Sequence, residues 1–212
     1  MKMFKVGSIM LIVASLFCQC NMHVNENISI ESGKKVHGSQ NSVNGSISIG
    51  EEAMVKGSCR SVNGSIDVAE KAQVEQLQTV NGGISLAAGA RVHDDVESVN
   101  GNVRCATDVQ IDRDIKTVNG NIYLDNSLVQ RDVESYNGDI TMINGSVIRG
   151  DIVIKEAKGN NDRHNALNIR IESGSVVEGD ILVKQNDFDV NVTLADGGKV
   201  EGRVRNAAVF EE

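Results

Sequence analysis

Aliphatic residues return along this chain in four columns, with polar residues between them. The first column is Ile28, Ile47, Ile66, Ile84, Val103, Ile122 and Ile140, and two places on stand Ile30, Ile49, Val68, Leu86, Cys105, Leu124 and Met142. A third is Val36, Val55, Val74, Val92, Ile111, Val129 and Ile148, and a fourth is Gln40, Cys59, Leu77, Val96, Ile115, Val133 and Ile152. Alternation within each short run is the period-2 pattern of a strand with one buried face. Each unit therefore predicts two or three short strands bent round corners.

A turn motif marks each unit. It reads Ser42-Val43-Asn44-Gly45, Ser61-Val62-Asn63-Gly64, Thr79-Val80-Asn81-Gly82, Ser98-Val99-Asn100-Gly101 and Thr117-Val118-Asn119-Gly120. Ser135-Tyr136-Asn137-Gly138 is a sixth copy, and Val24-Asn25-Glu26 is a degenerate one ahead of them. Successive Asn residues lie 19, 19, 18, 19, 19 and 18 apart. So short a fixed period means a repeat architecture. One unit cannot bury its apolar face alone, whereas stacking unit on unit buries every column at once. The expected fold is all-β, a single-stranded parallel β-helix (β-solenoid) with coils of 18–19 residues. Nine or ten coils are expected, at about 4.8 Å each, in a rod of roughly 45 Å.

The Asn column, Asn25, Asn44, Asn63, Asn81, Asn100, Asn119 and Asn137, predicts a structural ladder of side-chain amides along the axis. Asn and Gly are also expected to supply positive φ at the corner. The Ser/Thr residue before each motif valine is expected to stack outside the core. Asn-Gly between apolar runs is a hairpin signal as well. An antiparallel meander, however, would not keep four columns in phase over seven units.

After residue 138 the Asn-Gly turn is lost while the strands continue. The regular repeat is placed at 24–154, an inserted polar loop at 155–167, and further coils with a cap at 168–212. Phe188 and Phe210 are expected to cover the last coil. Gly-Ser-Val-Ile-Arg-Gly-Asp-Ile (145–152), Gly-Ser-Val-Val-Glu-Gly-Asp-Ile (174–181) and Gly-Lys-Val-Glu-Gly-Arg-Val (198–204) resemble the Val-x-Gly-Asp-Ile units of bactofilins. The resemblance implies a right-handed β-helix and polymer formation. The Ser/Thr-Val-Asn-Gly coils resemble an uncharacterised family of exported proteobacterial solenoids.

Composition narrows the chemistry. The chain has 212 residues, no Pro or Trp, 3% aromatics and 40% hydrophobic residues, so the core is aliphatic. A net charge of −8, interleaved by sign, excludes a nucleic-acid partner, which needs clustered Lys/Arg. Met1-Lys2-Met3-Phe4-Lys5 and the apolar run from Val6 to Phe17 form an export signal over 1–20, too short to span a bilayer. Cys18 or Cys20 is a candidate lipidation site that would attach the chain to a membrane. Exported protein of the periplasm, outer membrane or cell surface is the expected localisation. Cys59 and Cys105 replace aliphatic residues, and no bond between them is expected at about three coils' separation.

No catalytic, cofactor-binding or metal residue is assigned, and no cofactor is implied. Four scattered His residues carry no catalytic motif. The hydroxyl column is not the flat row of paired Thr that ice binding uses. One cluster competes: Asp94, Asp95, Asp112, Asp114 and Asp132 fall on one corner of successive coils, as a polysaccharide-active or calcium site would require. Their equivalents in earlier coils (Lys56, Gly57, Gln76) make the cluster local. The expected function is a non-enzymatic structural or interaction scaffold of the bacterial cell envelope. Its expected partners are further copies joined end to end, or envelope protein or polysaccharide.

Overall fold

The computed structural model describes residues 22–155, 166–184 and 189–212. It is an all-β solenoid of about nine turns of parallel strands, with no helix among the described residues. The export segment, residues 156–165 of the expected loop, and Phe188 lie outside the described residues.

Three faces run the length of the rod. Face 1 holds ten strands, from Ile28–Ile30 to Ala208–Glu211. Face 2 begins at Lys35–His37 and ends at Lys199–Val200. Face 3 begins at Met22–His23 and ends at Val204–Arg205. Faces 2 and 3 count as one sheet because Met54–Ser61 and Gln73–Thr79 run round their shared corner unbroken.

Each strand between the first and last coils pairs in parallel with its equivalents one coil before and one coil after. Antiparallel pairing, and with it the meander, is absent from the described strands. The register follows the apolar columns: Ile47 lies beside Ile66, Ile66 beside Ile84, Val92 beside Ile111, and Val96 beside Ile115. Coils of 19 and 18 residues meet at Met54–Ser61, where the register shifts between Val55 and Ser58. One extra residue at the corner absorbs the difference without turning the columns inside out.

All four columns point inward. From Ile47 to Val192 their aliphatic members are buried in one continuous cluster. Every coil thus removes its apolar face from water only by lying on its neighbours. The C-terminal coils keep this register, with Ile169 on Ile140 and Ile181 on Ile152. Leu167 is a correction to the expected loop, since it begins the strand Leu167–Ile171 and is fully buried. Alternation explains it: Leu167, Ile169 and Ile171 share the inward side.

Candidate functional site

The Val-Asn-Gly turn joins face 3 to face 1, and its geometry reverses two expectations. The hydroxyl residues are not outside the core. Ser42, Ser61, Thr79, Ser98, Thr117 and Ser135 point inward and are buried, while Val43, Val62, Val80, Val99 and Val118 are half-buried on the outside. The following glycine explains the inversion. Successive coils meet so closely here that a Cβ on Gly64 or Gly82 would stand 2.5 Å from the carbonyl carbon of Gly45 or Gly64. A buried carbonyl needs a donor, and the hydroxyl supplies it. Ser61 Oγ donates to Gly45 O at 2.9 Å, Thr79 Oγ1 to Gly64 O at 3.0 Å, and Ser98 Oγ to Gly82 O at 3.2 Å. Where the glycine turn is lost, Ile154 and Val183 take the inward place. At Ser61, Thr79 and Ser98 hydroxyl and glycine act as one device, whereas Ser135 Oγ turns to Gly138 O of its own coil.

Positive φ is the second correction. Among the motif Asn and Gly residues, only Asn25 has it, at 60°. Most left-handed residues sit instead at the corner between faces 1 and 2, among them Glu52, Lys71, Gly89 and Asp108, with Gly38 and Asn206 at the other two corners. The motif glycine is required because the coils touch there, not because the chain turns left-handed.

The asparagines form a continuous chain. Asn44 Nδ2 donates to Asn25 Oδ1 at 2.7 Å, Asn63 to Asn44 at 2.8 Å, and Asn81 to Asn63 at 2.8 Å. Asn100 donates to Asn81 at 2.8 Å, Asn119 to Asn100 at 2.9 Å, and Asn137 to Asn119 at 2.8 Å. All six bonds run in one direction, each amide nitrogen pointing toward the N-terminal end.

The five candidate aspartates divide into two groups at the corner between faces 2 and 3. Asp95 Oδ1 accepts the N–H of Asp114 at 3.2 Å, and Asp114 Oδ1 that of Asp132 at 3.2 Å. The same contact continues from Asp132 to Asp151 N at 2.9 Å, Asp151 to Asp180 N at 2.8 Å, and Asp180 to Arg203 N at 2.8 Å. The row is therefore repeated over five coils rather than local. Its signal in the sequence is an Asp directly before the first inward aliphatic of face 3, as in Asp95-Val96 and Asp151-Ile152. The Gly-Asp-Ile units belong to this row.

Asp94 and Asp112 stand outside it. Asp94 takes Arg113 Nη1 at 3.0 Å, and Asp112 takes Arg91 Nη2 at 3.0 Å and His93 Nδ1 at 3.1 Å. Burial alone would raise the Asp114 carboxyl. The hydrogen bond from Lys116, the N–H of Asp132 and the charges of Lys116 and Arg131 outweigh it and hold the group below its usual range. Among the described residues no three His, Cys, Asp or Glu side chains are grouped to hold a metal ion.

The thiols of Cys59 and Cys105 are free and buried, and desolvation pushes both up to about 12. Cys18, Cys20 and His164 lie outside the described residues.

Two surfaces escaped the sequence reading. An open trough of about 700 Å³ crosses the first coils of face 1, floored by small residues such as Ser29, Ser48, Gly50 and Ala69 and reaching Tyr123. Its signal was the small residue after each second inward position, in Gly50, Ala69, Ala87 and Ala106. The other surface is the C-terminal end. Phe210 does not cover the last coil, because it lies opposite Thr193 in the outward row and is 51% exposed. Val209 and Glu211 take the inward places instead. No protein-family model, curated protein or solved structure matches the chain.

Proposed function

We propose that this chain is a non-enzymatic structural or interaction scaffold of the bacterial cell envelope. It is exported through the segment 1–20 and acts as a rigid rod whose faces and ends engage partners, with further copies joined end to end. An acyl chain on Cys18 or Cys20 would tether the rod to a membrane. The observation that carries the reading is the unbroken parallel register from first coil to last. A stack held in one register, whose last described strand is open on one side, suits mechanical and docking roles. The aspartates support the same reading, since Asp95, Asp114 and Asp132 are engaged by backbone N–H groups and Asp94 and Asp112 by ion pairs. The resemblance of the Gly-Asp-Ile coils to bactofilins is in keeping with an assembling rod.

The test is co-sedimentation of residues 21–212 with isolated cell envelopes, alongside polysaccharide hydrolysis and calcium titration. The expected result is envelope binding with no hydrolysis and no calcium-dependent stabilisation. Activity or calcium stabilisation that disappears in an Asp112→Asn/Asp114→Asn variant would replace the scaffold with an enzyme or calcium site at the Asp cluster.

A further inference from the structure

We propose that the C-terminal end of the rod is a docking face for the N-terminal end of a second copy, and that Glu211 limits how tightly the joint closes. This rests on the end-to-end reading above and names the surface and the residue that controls it.

Within the chain, each coil is held by strand pairing and by stacking of its inward columns on the next. Among the described residues the last coil offers the same surface with no further coil on it. Leu194, Val200 and Val204 stand in inward columns and are only partly covered, and Val209 beside them is 45% exposed. Glu201, Arg203, Arg205 and Glu211 are exposed around them. An apolar centre inside a charged rim is the build of a protein interface. Among the described strands Ala208–Glu211 pairs on one side only, with Val190–Leu194. An open edge of this kind templates another strand. At the opposite end, among the described residues, Ile28–Ile30 also pairs on one side only, with Ile47–Ile49, and Val24 is 55% exposed. Among the described residues the exposed large hydrophobics are Val24, Tyr123, Val209 and Phe210. All but Tyr123 lie at the two ends.

Register selects the occupant. Val209 continues the column that begins at Ile28, so a second copy laid on in parallel sets Val209 against Ile28. Phe210 continues the outward row that begins with Ser29 and Ser48, where the trough on face 1 leaves room for an aromatic ring. The joint is thus the chain's own coil-to-coil contact carried across two molecules. It closes on faces 1 and 3 and leaves one strand's width open on face 2, which has one strand fewer.

Glu211 opposes closure. The pairing of Leu194 with Glu211 puts its carboxylate in the column of Ile30, Leu124, Ile171 and Leu194. Closing the joint buries that carboxylate against Ile30 with no cation in the column. Burial of an unpaired charge is costly, and an inward charge on an edge strand is a known brake on edge pairing.

The experiment is sedimentation equilibrium of residues 21–212 as wild type, Glu211→Leu, Val209→Asp and the double variant, with circular dichroism to confirm folding. Both positions are exposed on the last strand, so the rest of the rod folds without them. Glu211→Leu is expected to tighten association at least tenfold and to grow beyond dimers. Val209→Asp is expected to abolish association in either background. The proposal is overturned if Glu211→Leu associates no more tightly than wild type, stops at dimers as a tail-to-tail contact would, or keeps its affinity in the double variant. Failure here leaves envelope co-sedimentation of the wild type intact. Failure of the scaffold reading removes that co-sedimentation whatever these variants do.

Discussion

Two neighbouring glycines separate close approach from conformational freedom as the reason for the motif. A Cβ at Gly82 would lie 2.5 Å from the Gly64 carbonyl carbon and 2.9 Å from Ser65 N. Non-bonded carbons rest at about 3.5–4.0 Å, so the overlap is about 1 Å. The backbone cannot yield, because Asn81 N–H donates to Val62 O and Asn100 N–H to Val80 O, both at 2.8 Å. Relief requires the coils to part, which also breaks the bond from Thr79 Oγ1 to Gly64 O. Overpacking of about 2–3 kcal/mol and a lost hydrogen bond of about 1 kcal/mol put the cost of Gly82→Ala near 3–4 kcal/mol. At Gly83 the nearest atom to a Cβ is Asn102 O at 3.3 Å, and φ is not positive. Loss of unfolded-state freedom offsets that contact, so Gly83→Ala is expected within about 1 kcal/mol of wild type. In urea unfolding, with a slope of about 3 kcal/mol/M, Gly82→Ala should lower the midpoint by about 1 M and Gly83→Ala hardly at all. Equal midpoints for the two variants would refute the close-approach argument.

The hydroxyl column gives a second contrast. Thr79→Val strips a buried carbonyl of its donor and should cost about 1–2 kcal/mol, whereas Thr117 Oγ1 has no partner among the described residues, so Thr117→Val should be neutral or stabilising in the same assay. Cys59 and Cys105, pushed up to about 12 by burial, should resist a thiol reagent at pH 8 and react only as the chain unfolds; fast labelling of the folded rod would contradict their burial. For Asp114, whose folded pKa is depressed, the stabilising contribution is present above the unfolded carboxyl value of about 3.9 and is lost as pH falls through the lower folded value. The stability difference between wild type and Asp114→Asn, followed by thermal melts, should hold steady from pH 7 to about pH 5 and close below about pH 4. A difference that ignores pH would remove the charge from the explanation.

The fold was legible because one signal was repeated. Ile47, Ile66 and Ile84 each carry little information, but their shared phase admits few ways of burying all three. The outside of the rod was less legible. Thr79 and Val80 both suit a strand, and nothing in their types says which points inward. That depends on the Gly64 carbonyl one coil away, a contact made only by the stacked backbone. The Asp row was partly hidden because Asp151 and Asp180 lie beyond the last Asn-Gly turn, while indexing by that turn drew attention to Asp94 and Asp112. Phe210 was misplaced for a related reason: an aromatic at a chain end suggests a cap, but strand parity assigns the inward places to Val209 and Glu211.

Small-angle X-ray scattering of residues 21–212 across concentration tests the central claim most directly, because rod shape and end-to-end growth appear in one data set. The account predicts a particle of roughly 45 Å whose length increases in steps of that size at high concentration, while its cross-section stays constant. A globular particle would contradict the rod, and growth in cross-section, or no growth at any concentration, would contradict joining by the ends.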